Sequence, residues 1–224
     1  LGLMFLVPAA TGLFVAHRFQ TNHRIAFARL LEAEAANARL EREIEARKEL
    51  EAELKRQAAT DSLTGLNNRR RYEALFRHEF RRTKRYGGRL SLFVLDLDHF
   101  KQVNDNYGHS AGDTALQKLA DLCRSSLREP DIIGRLGGEE FVVLLPDTGG
   151  SDAYNVADRL RKKISETEIK TDHGRFTLTA TIGVAEASPD DKEIEDLVRR
   201  ADTALYKGKA YGRNRVSIQD FRDG

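Results

Sequence analysis

The sequence predicts an α/β sandwich in which a mixed central sheet of about five strands is flanked by helices. Three observations lead there. From residue 61 onward, apolar runs rich in β-formers alternate with segments of helical periodicity. Clusters of Gly, Asn and Asp separate them, as turns do. Two of the strand-like runs are joined only by Gly137-Gly138, so they must form a hairpin, and the sheet cannot be wholly parallel.

Strands are expected at 90–97 (LSLFVLDL), 131–136 (DIIGRL), 140–145 (EFVVLL), 177–185 (TLTATIGVA) and 215–218 (RVSI). Helical patterns fall at 67–85, 112–127, 151–166 and 193–209. The run at 90–97 is apolar almost throughout, which marks a buried strand.

Two segments precede this domain. Residues 1–16 (LGLMFLVPAATGLFVA) carry no charge. A membrane-spanning helix needs about 20 apolar residues, so this stretch reads as the end of a transmembrane helix. The basic flank of Arg18 and Arg24 behind it is what the cytoplasmic side requires. Pro8 is compatible with that reading, because proline is tolerated in membrane helices. Residues 17–60 form the linker, and 24–58 lack Gly and Pro and are built mostly from Ala, Glu, Leu, Arg and Lys, the strong helix formers. With Leu30, Asn37, Ile44, Glu51 and Ala58 at heptad position a, position d falls on Ala33, Leu40, Arg47 and Leu54. That is an imperfect seam for a dimeric coiled coil. Residues 61–224 make the globular domain.

Composition narrows the function classes. The 37 basic and 35 acidic residues leave a formal charge of +2, so no global field recruits nucleic acid. Cys123 is the single cysteine and sits in an apolar helical pattern, a buried filler rather than a disulfide partner.

The chemistry gathers around carboxylates. The strand LSLFVLDLD ends with Asp96 and Asp98, which at i,i+2 share one face. Glu139 and Glu140 leave the tip of the hairpin, beside glycines that permit positive φ and let a ligand approach the backbone. If the two strands are neighbours, these carboxylates converge and repel one another unless a cation joins them. Hard oxygen ligands suit Mg²⁺ held jointly with substrate phosphates. In the following segment, HFKQVNDNYGHSAGD, Lys101 offers a point charge to phosphate. Asn104 and Asp113 offer donors and acceptors for a purine edge. A helix starting near Phe100 would add free N–H groups as a phosphate cradle.

Taken in order, DSLTGLNNRR (61–70), DLDHFKQVND (96–105), GHSAGD (108–113), RLGGEEF (135–141) and KAYGRN (209–214) resemble the GGDEF family, the diguanylate cyclases. The match runs from Asp61 to about Gln219, with Glu139 where the family name has Asp. The resemblance implies condensation of two GTP into cyclic di-GMP and two pyrophosphates. It implies that Asp96, the backbone carbonyl of Leu97 and Glu139 hold Mg²⁺, with Mn²⁺ as the alternative, and that Glu140 lies near a second metal position. Glu139 would serve as base for the attacking 3′-hydroxyl. Asn104 and Asp113 would bind guanine, with His109 lining the nucleotide site. Lys101, Lys209 and Arg213 would contact phosphates, and Lys101 would also stabilise the transition state.

Arg128 and Asp131 form an RxxD motif just upstream of the signature, resembling the family's inhibitory site for the product cyclic di-GMP, which Arg159 would join. Because each 3′-hydroxyl must attack the other α-phosphate, two domains have to meet, so a homodimer is expected. The expected location is the cytoplasmic membrane, with the catalytic domain in the cytoplasm and a sensor region preceding Leu1. The competing expectation is a catalytically silent domain that senses GTP or cyclic di-GMP.

Overall fold

The computed structural model describes residues 34, 37–49, 51, 59–172 and 174–219. The chain divides into two compact units, 1–58 and 59–224.

In the first unit, residues 37–49 are helical, and Arg47 pairs with Glu51 one turn on, as this composition favours. Leu40 and Ile44, the apolar d and a positions among the described residues, are 56% and 50% exposed. The expected segment 1–16 lies outside the described residues, as do Leu30, Ala33, Leu54 and Ala58 of the heptad. Among the described residues, no helix is long and apolar enough to cross a membrane.

The second unit runs α1 (Arg69–Tyr86), β1 (Leu90–Leu97), α2 (Phe100–Tyr107), α3 (His109–Ser126), β2 (Ile132–Gly137), β3 (Glu140–Pro146), α4 (Gly150–Glu166), β4 (Ile169–Thr171), β5 (Gly174–Phe176), β6 (Ala180–Glu186), α5 (Ile194–Ala210) and β7 (Val216–Gln219). Five strands form one sheet in the order β2-β3-β1-β6-β7, and β4 and β5 pair separately. β1 is antiparallel to both β3 and β6, and β7 joins β6 in parallel, so the sheet is mixed as expected.

β1 lies at the centre, and all eight of its residues are buried. Its alternate side chains feed two cores. Phe93, Leu95 and Leu97 face α3 and α4, where Leu116, Leu119, Leu160 and Ile164 close over them. Leu90, Leu92 and Val94 face α1 and α5, against Phe76, Phe80, Leu197 and Leu205. Each such side chain contributes about 1.5–3 kcal/mol of burial.

Two glycines set the approach of the covering helices. A Cβ on Gly183 would fall on the Ala201 carbonyl oxygen and the Leu205 amide nitrogen, so α5 lies in backbone contact with β6. A Cβ on Gly134 would strike the Tyr72 side chain, so this glycine of β2 makes room for the Tyr72 ring of α1.

Three expectations need correction. The hairpin turn is Gly138-Glu139 rather than Gly137-Gly138, because Gly137 pairs with Glu140 after a bulge at Arg135/Gly137. Gly138 has φ 53° at the first turn position, the φ sign of a type II′ turn. The helix expected from 112 starts at His109, since Gly108 at φ 83° is itself the junction between α2 and α3. Strands β4 and β5, three residues each, were not expected, because so short a run carries no readable period.

Candidate active site

Asp96 and Asp98 reach the same end of β1 and have different surroundings. Both are buried. Asp98 has its oxygens occupied: Thr181 Oγ1 donates to Oδ1 at 2.6 Å, and Thr179 Oγ1 and the Asn214 N–H donate to Oδ2 at 2.7 and 3.0 Å. It therefore pins the 211–214 loop, in which Arg213 and Asn214 take left-handed φ of 62° and 43°. Asp96 instead faces Lys209 of α5, whose Nζ lies 2.8 Å from Oδ2.

The sheet register places Asp96 directly opposite Glu140. Directly opposed residues share a face, so the expected convergence of strand-end and hairpin carboxylates occurs. Burial raises the Asp96 pKa; Lys209 works against the shift, and the Glu139 and Asp98 carboxylates add to it. Glu140 is raised too, by burial and then by the Asp96 charge, with Asp202 and Glu139 adding and Lys209 opposing. The cluster thus holds excess negative charge beside a single ammonium. Among the described residues, no three His, Cys, Asp or Glu side chains converge closely enough to hold a metal by themselves. A site of this kind can bind a divalent ion only with ligands from elsewhere.

The turn that carries Glu139 is held from behind. Arg135 donates from Nε and Nη2 to the Gly138 carbonyl at 3.0 and 2.8 Å, and from Nη1 to Asp61 Oδ1 at 3.0 Å. Asp61 also accepts from the Thr64 N–H and hydroxyl at 2.9 and 2.7 Å. Against the burial that would raise it, these bonds from Thr64 and Arg135 hold the Asp61 carboxyl below its usual range. Asn67 adds a bond from Nδ2 to the Ile133 carbonyl at 2.7 Å. Arg135 and Asp61 were not among the expected site residues. Their signal lay in the DSLTGL and RLGGEEF stretches, which contain the partners but do not say that they pair.

The expected nucleotide residues occupy the neighbouring helices. Lys101 is exposed in the first turn of α2, whose N-cap His99 has φ 58° and makes no side-chain cap. The first N–H groups of α2 therefore have no side-chain cap competing with a ligand. Asn104 is half-buried on α2, and His109 and Asp113 are exposed on α3. A Cβ on Gly112 would overlap the Asn104 amide oxygen, so this glycine makes room for Asn104 beside α3. Arg213 is exposed at the end of the 211–214 loop, and Leu97 closes β1. On the α1/α5 face a groove of about 580 Å³, floored by Tyr72, Phe76 and Leu205, runs up to Glu140 and Lys209.

The RxxD motif lies apart. Arg128 and Asp131 sit in the loop before β2, and β2 leads from there to the signature turn. Six strand residues span roughly 20 Å, so the two sites occupy opposite ends of β2. The Arg128 N–H donates to Asp131 Oδ2 at 2.8 Å, which shapes the loop. Burial raises the Asp131 pKa, against that bond and the Arg128 charge. Among the described residues the Arg128 guanidinium forms no salt bridge, and its charge acts on Asp131 without one. Arg159 on α4 reaches the same edge, with Nη2 3.5 Å from the Ser126 carbonyl.

Cys123 is fully buried in α3, and its thiol is pushed up to about 12 by burial, as expected of a filler.

Residues 58–215 match the family described as "Diguanylate cyclase, GGDEF domain". A diguanylate cyclase of Vibrio cholerae is 41% identical over 170 residues, covering 76% of this chain and 52% of that protein. The response regulator PleD of Caulobacter vibrioides is 40% identical over 161 residues, covering 71% and 36%. The chain thus spans about half or less of the length of these curated relatives. The crystal structure of the GGDEF domain of DgcB from Caulobacter crescentus, in complex with c-di-GMP, superposes with a TM-score of 0.70 at 32% identity, covering 72% of this chain and 93% of that one. With a family match over well more than half its length and a signature turn set against a buried aspartate, this chain belongs to the GGDEF-domain diguanylate cyclase family.

Proposed function

We propose that this chain condenses two GTP molecules into cyclic di-GMP and releases two pyrophosphates. The observation that carries the reading is Asp96 opposite Glu140 on adjacent strands, beside a braced turn that presents Glu139. The c-di-GMP bound to the related DgcB domain supports it.

The donor set fits a hard divalent cation. Asp96 is buried, Glu139 half-buried and Glu140 exposed at the start of β3; they repel one another and fall short of a full cage, which suits an ion that keeps water and takes phosphate oxygens as ligands. Asp96, the Leu97 carbonyl and Glu139 would hold Mg²⁺, or Mn²⁺ in its place, with Glu140 beside a second position. When bound, the ion supplies neutralising charge at the α-phosphate. Asn104 and Asp113 fix the guanine, with His109 at the edge. Lys101, the first N–H groups of α2, Lys209 and Arg213 carry the phosphates. Glu139 accepts the proton of the attacking 3′-hydroxyl. As the bond from the 3′-oxygen to the α-phosphorus forms, the bond to the bridging oxygen breaks, and pyrophosphate leaves with that electron pair.

One domain completes half of this reaction. The 3′-hydroxyl of each GTP attacks the other GTP, so two domains face each other across a two-fold axis. The linker helix, as a coiled coil, would raise their effective concentration, and residues 1–16 would tether the pair to the cytoplasmic membrane with the catalytic domains in the cytoplasm. Product bound at Arg128, Asp131 and Arg159 would restrain the domains.

The test is incubation of the full chain with GTP and Mg²⁺, with cyclic di-GMP and pyrophosphate quantified by chromatography. Release of two pyrophosphates per cyclic dinucleotide is expected, and Glu139→Ala abolishes it while leaving the fold intact. A folded dimer that binds GTP and yields no product, even as Arg128→Ala, would instead make the chain a nucleotide sensor.

A further inference from the structure

Lys209 stands against the aspartate that the proposed function assigns to the metal. Its Nζ stands 2.8 Å from Asp96 Oδ2, and Asp96 is the site aspartate whose oxygens are not taken up by the Thr179, Thr181 and Asn214 donors that hold Asp98. The ammonium is not there by free choice of rotamer alone. α5 is seated on β6 in backbone contact at Gly183, and a Cβ on Gly208 would meet Thr181 Cγ2 at 2.8 Å and Ser217 Oγ at 2.9 Å. The end of α5 is thereby fixed against the sheet, and Lys209 lies one turn after Leu205 on its inner face.

We propose that Lys209 is the resident cation of the site, pairing with Asp96 until metal and nucleotide arrive together. This rests on the reading of Asp96 as a metal ligand given above. A divalent ion and an ammonium cannot both sit within 3 Å of one buried carboxylate without strong repulsion. Metal entering alone must therefore displace Lys209 from its pair with Asp96, leaving only the carboxylates beside it, Glu140 first, to take up the ammonium. Metal entering with a nucleotide brings phosphates that take up the displaced ammonium. The exchange couples the two ligands: each raises the affinity of the site for the other, by the same factor. Lys209 thus does more than contact phosphate. It compensates the buried carboxylate, and it makes bare metal a poor ligand.

The experiment measures Mn²⁺ affinity by electron paramagnetic resonance on the full chain, alone and with the α,β-methylene analogue of GTP, which cannot release pyrophosphate. For the wild type, weak Mn²⁺ binding should strengthen on the order of tenfold or more with the analogue, within the 5–150-fold usual for coupled sites. Lys209→Met should bind Mn²⁺ alone more tightly than wild type by a similar factor and lose most of the coupling. Lys209→Arg, which keeps a cation, should return Mn²⁺ affinity toward the wild-type value. Thermal melting of the same proteins checks folding and adds a second readout, since Mn²⁺ should raise the melting temperature of Lys209→Met more than that of wild type. Unchanged Mn²⁺ affinity in a folded Lys209→Met, with wild type still binding Mn²⁺ and analogue together, overturns the resident-cation role and leaves the proposed activity standing. No joint binding by wild type overturns both.

Discussion

Asp96 lies near the end of β1 and Asp98 in the turn just after it, two residues apart, and both are buried. Around Asp98 the fold has supplied three donors, two hydroxyls from the segment entering β6 and one amide from the 211–214 loop. Around Asp96 it has supplied one lysine and placed a second carboxylate opposite. A buried carboxylate with a full set of hydrogen bonds is a structural part, because its charge is already stabilised. One left with a single mobile cation among like charges is poised to exchange that cation. The difference between scaffold and chemistry at this end of the sheet is thus a difference in how many donors each aspartate has been given.

The sharpest way to break the comparison is to neutralise each aspartate in turn. Asp96→Asn should lower turnover by at least ~10³-fold, about 4 kcal/mol of lost transition-state stabilisation, while the melting temperature stays close to wild type. Cyclic di-GMP formation and thermal melting measure the two halves, and retained turnover would move the metal site away from Asp96. Asp98→Ala should do the reverse. It strands the buried Thr181 hydroxyl, the half-buried Thr179 hydroxyl and the Asn214 amide, costing about 2–4 kcal/mol in denaturant unfolding. A stable Asp98→Ala protein with no activity would erase the distinction.

How much of this was legible in the sequence follows from the range over which each feature is determined. LSLFVLDL announced β1 because a strand covered on both faces is apolar at every position, and that is local information. The Gly-Gly dipeptide announced the hairpin, but the turn fell one residue further along because the bulge before Gly137 depends on how β2 lies on β3. Asp96, Glu139 and Glu140 could be named as a cluster from their places at strand ends. That Arg135 would grip both the turn and Asp61, 74 residues away, could not be named. Such pairings are set by the packing of α1 and the 59–68 segment on β2, and no periodicity records them. The Lys209 ion pair with Asp96 escaped for the same reason.

Asp61 extends the contrast to a carboxylate that works purely as a brace. Its pKa is lowered below the usual aspartate value, because bonds from Thr64 and Arg135 outweigh its burial. A group whose folded-state pKa is depressed contributes stability above its unfolded value and loses it as pH falls through the folded one. Asp61→Asn should therefore lower stability by about 1–2 kcal/mol at neutral pH, with a difference from wild type that narrows on acidification below the ordinary aspartate range. Denaturant midpoints across an acid series measure it. A gap that widens toward acid would contradict the assignment.

The smallest expected effect on stability comes from Arg128, and it separates a loop built to be stable from one built to bind. The bond that shapes the RxxD loop runs from the Arg128 backbone N–H to Asp131. Any side chain at 128 leaves that bond in place. The guanidinium is exposed, so Arg128→Ala should change unfolding free energy by no more than about 0.5 kcal/mol. Asp131→Ala removes the acceptor itself and should cost more, about 1 kcal/mol. On the proposed reading, both variants weaken inhibition by cyclic di-GMP without lowering the initial rate, since this loop and the signature turn lie at opposite ends of β2. Progress curves with and without added cyclic di-GMP measure this directly. If Arg128→Ala is inhibited as strongly as wild type, the free guanidinium is a solvated surface charge. If it is inhibited less, Arg128 resembles Asp96: a charged group that the fold has left without its full set of partners, because a ligand completes them.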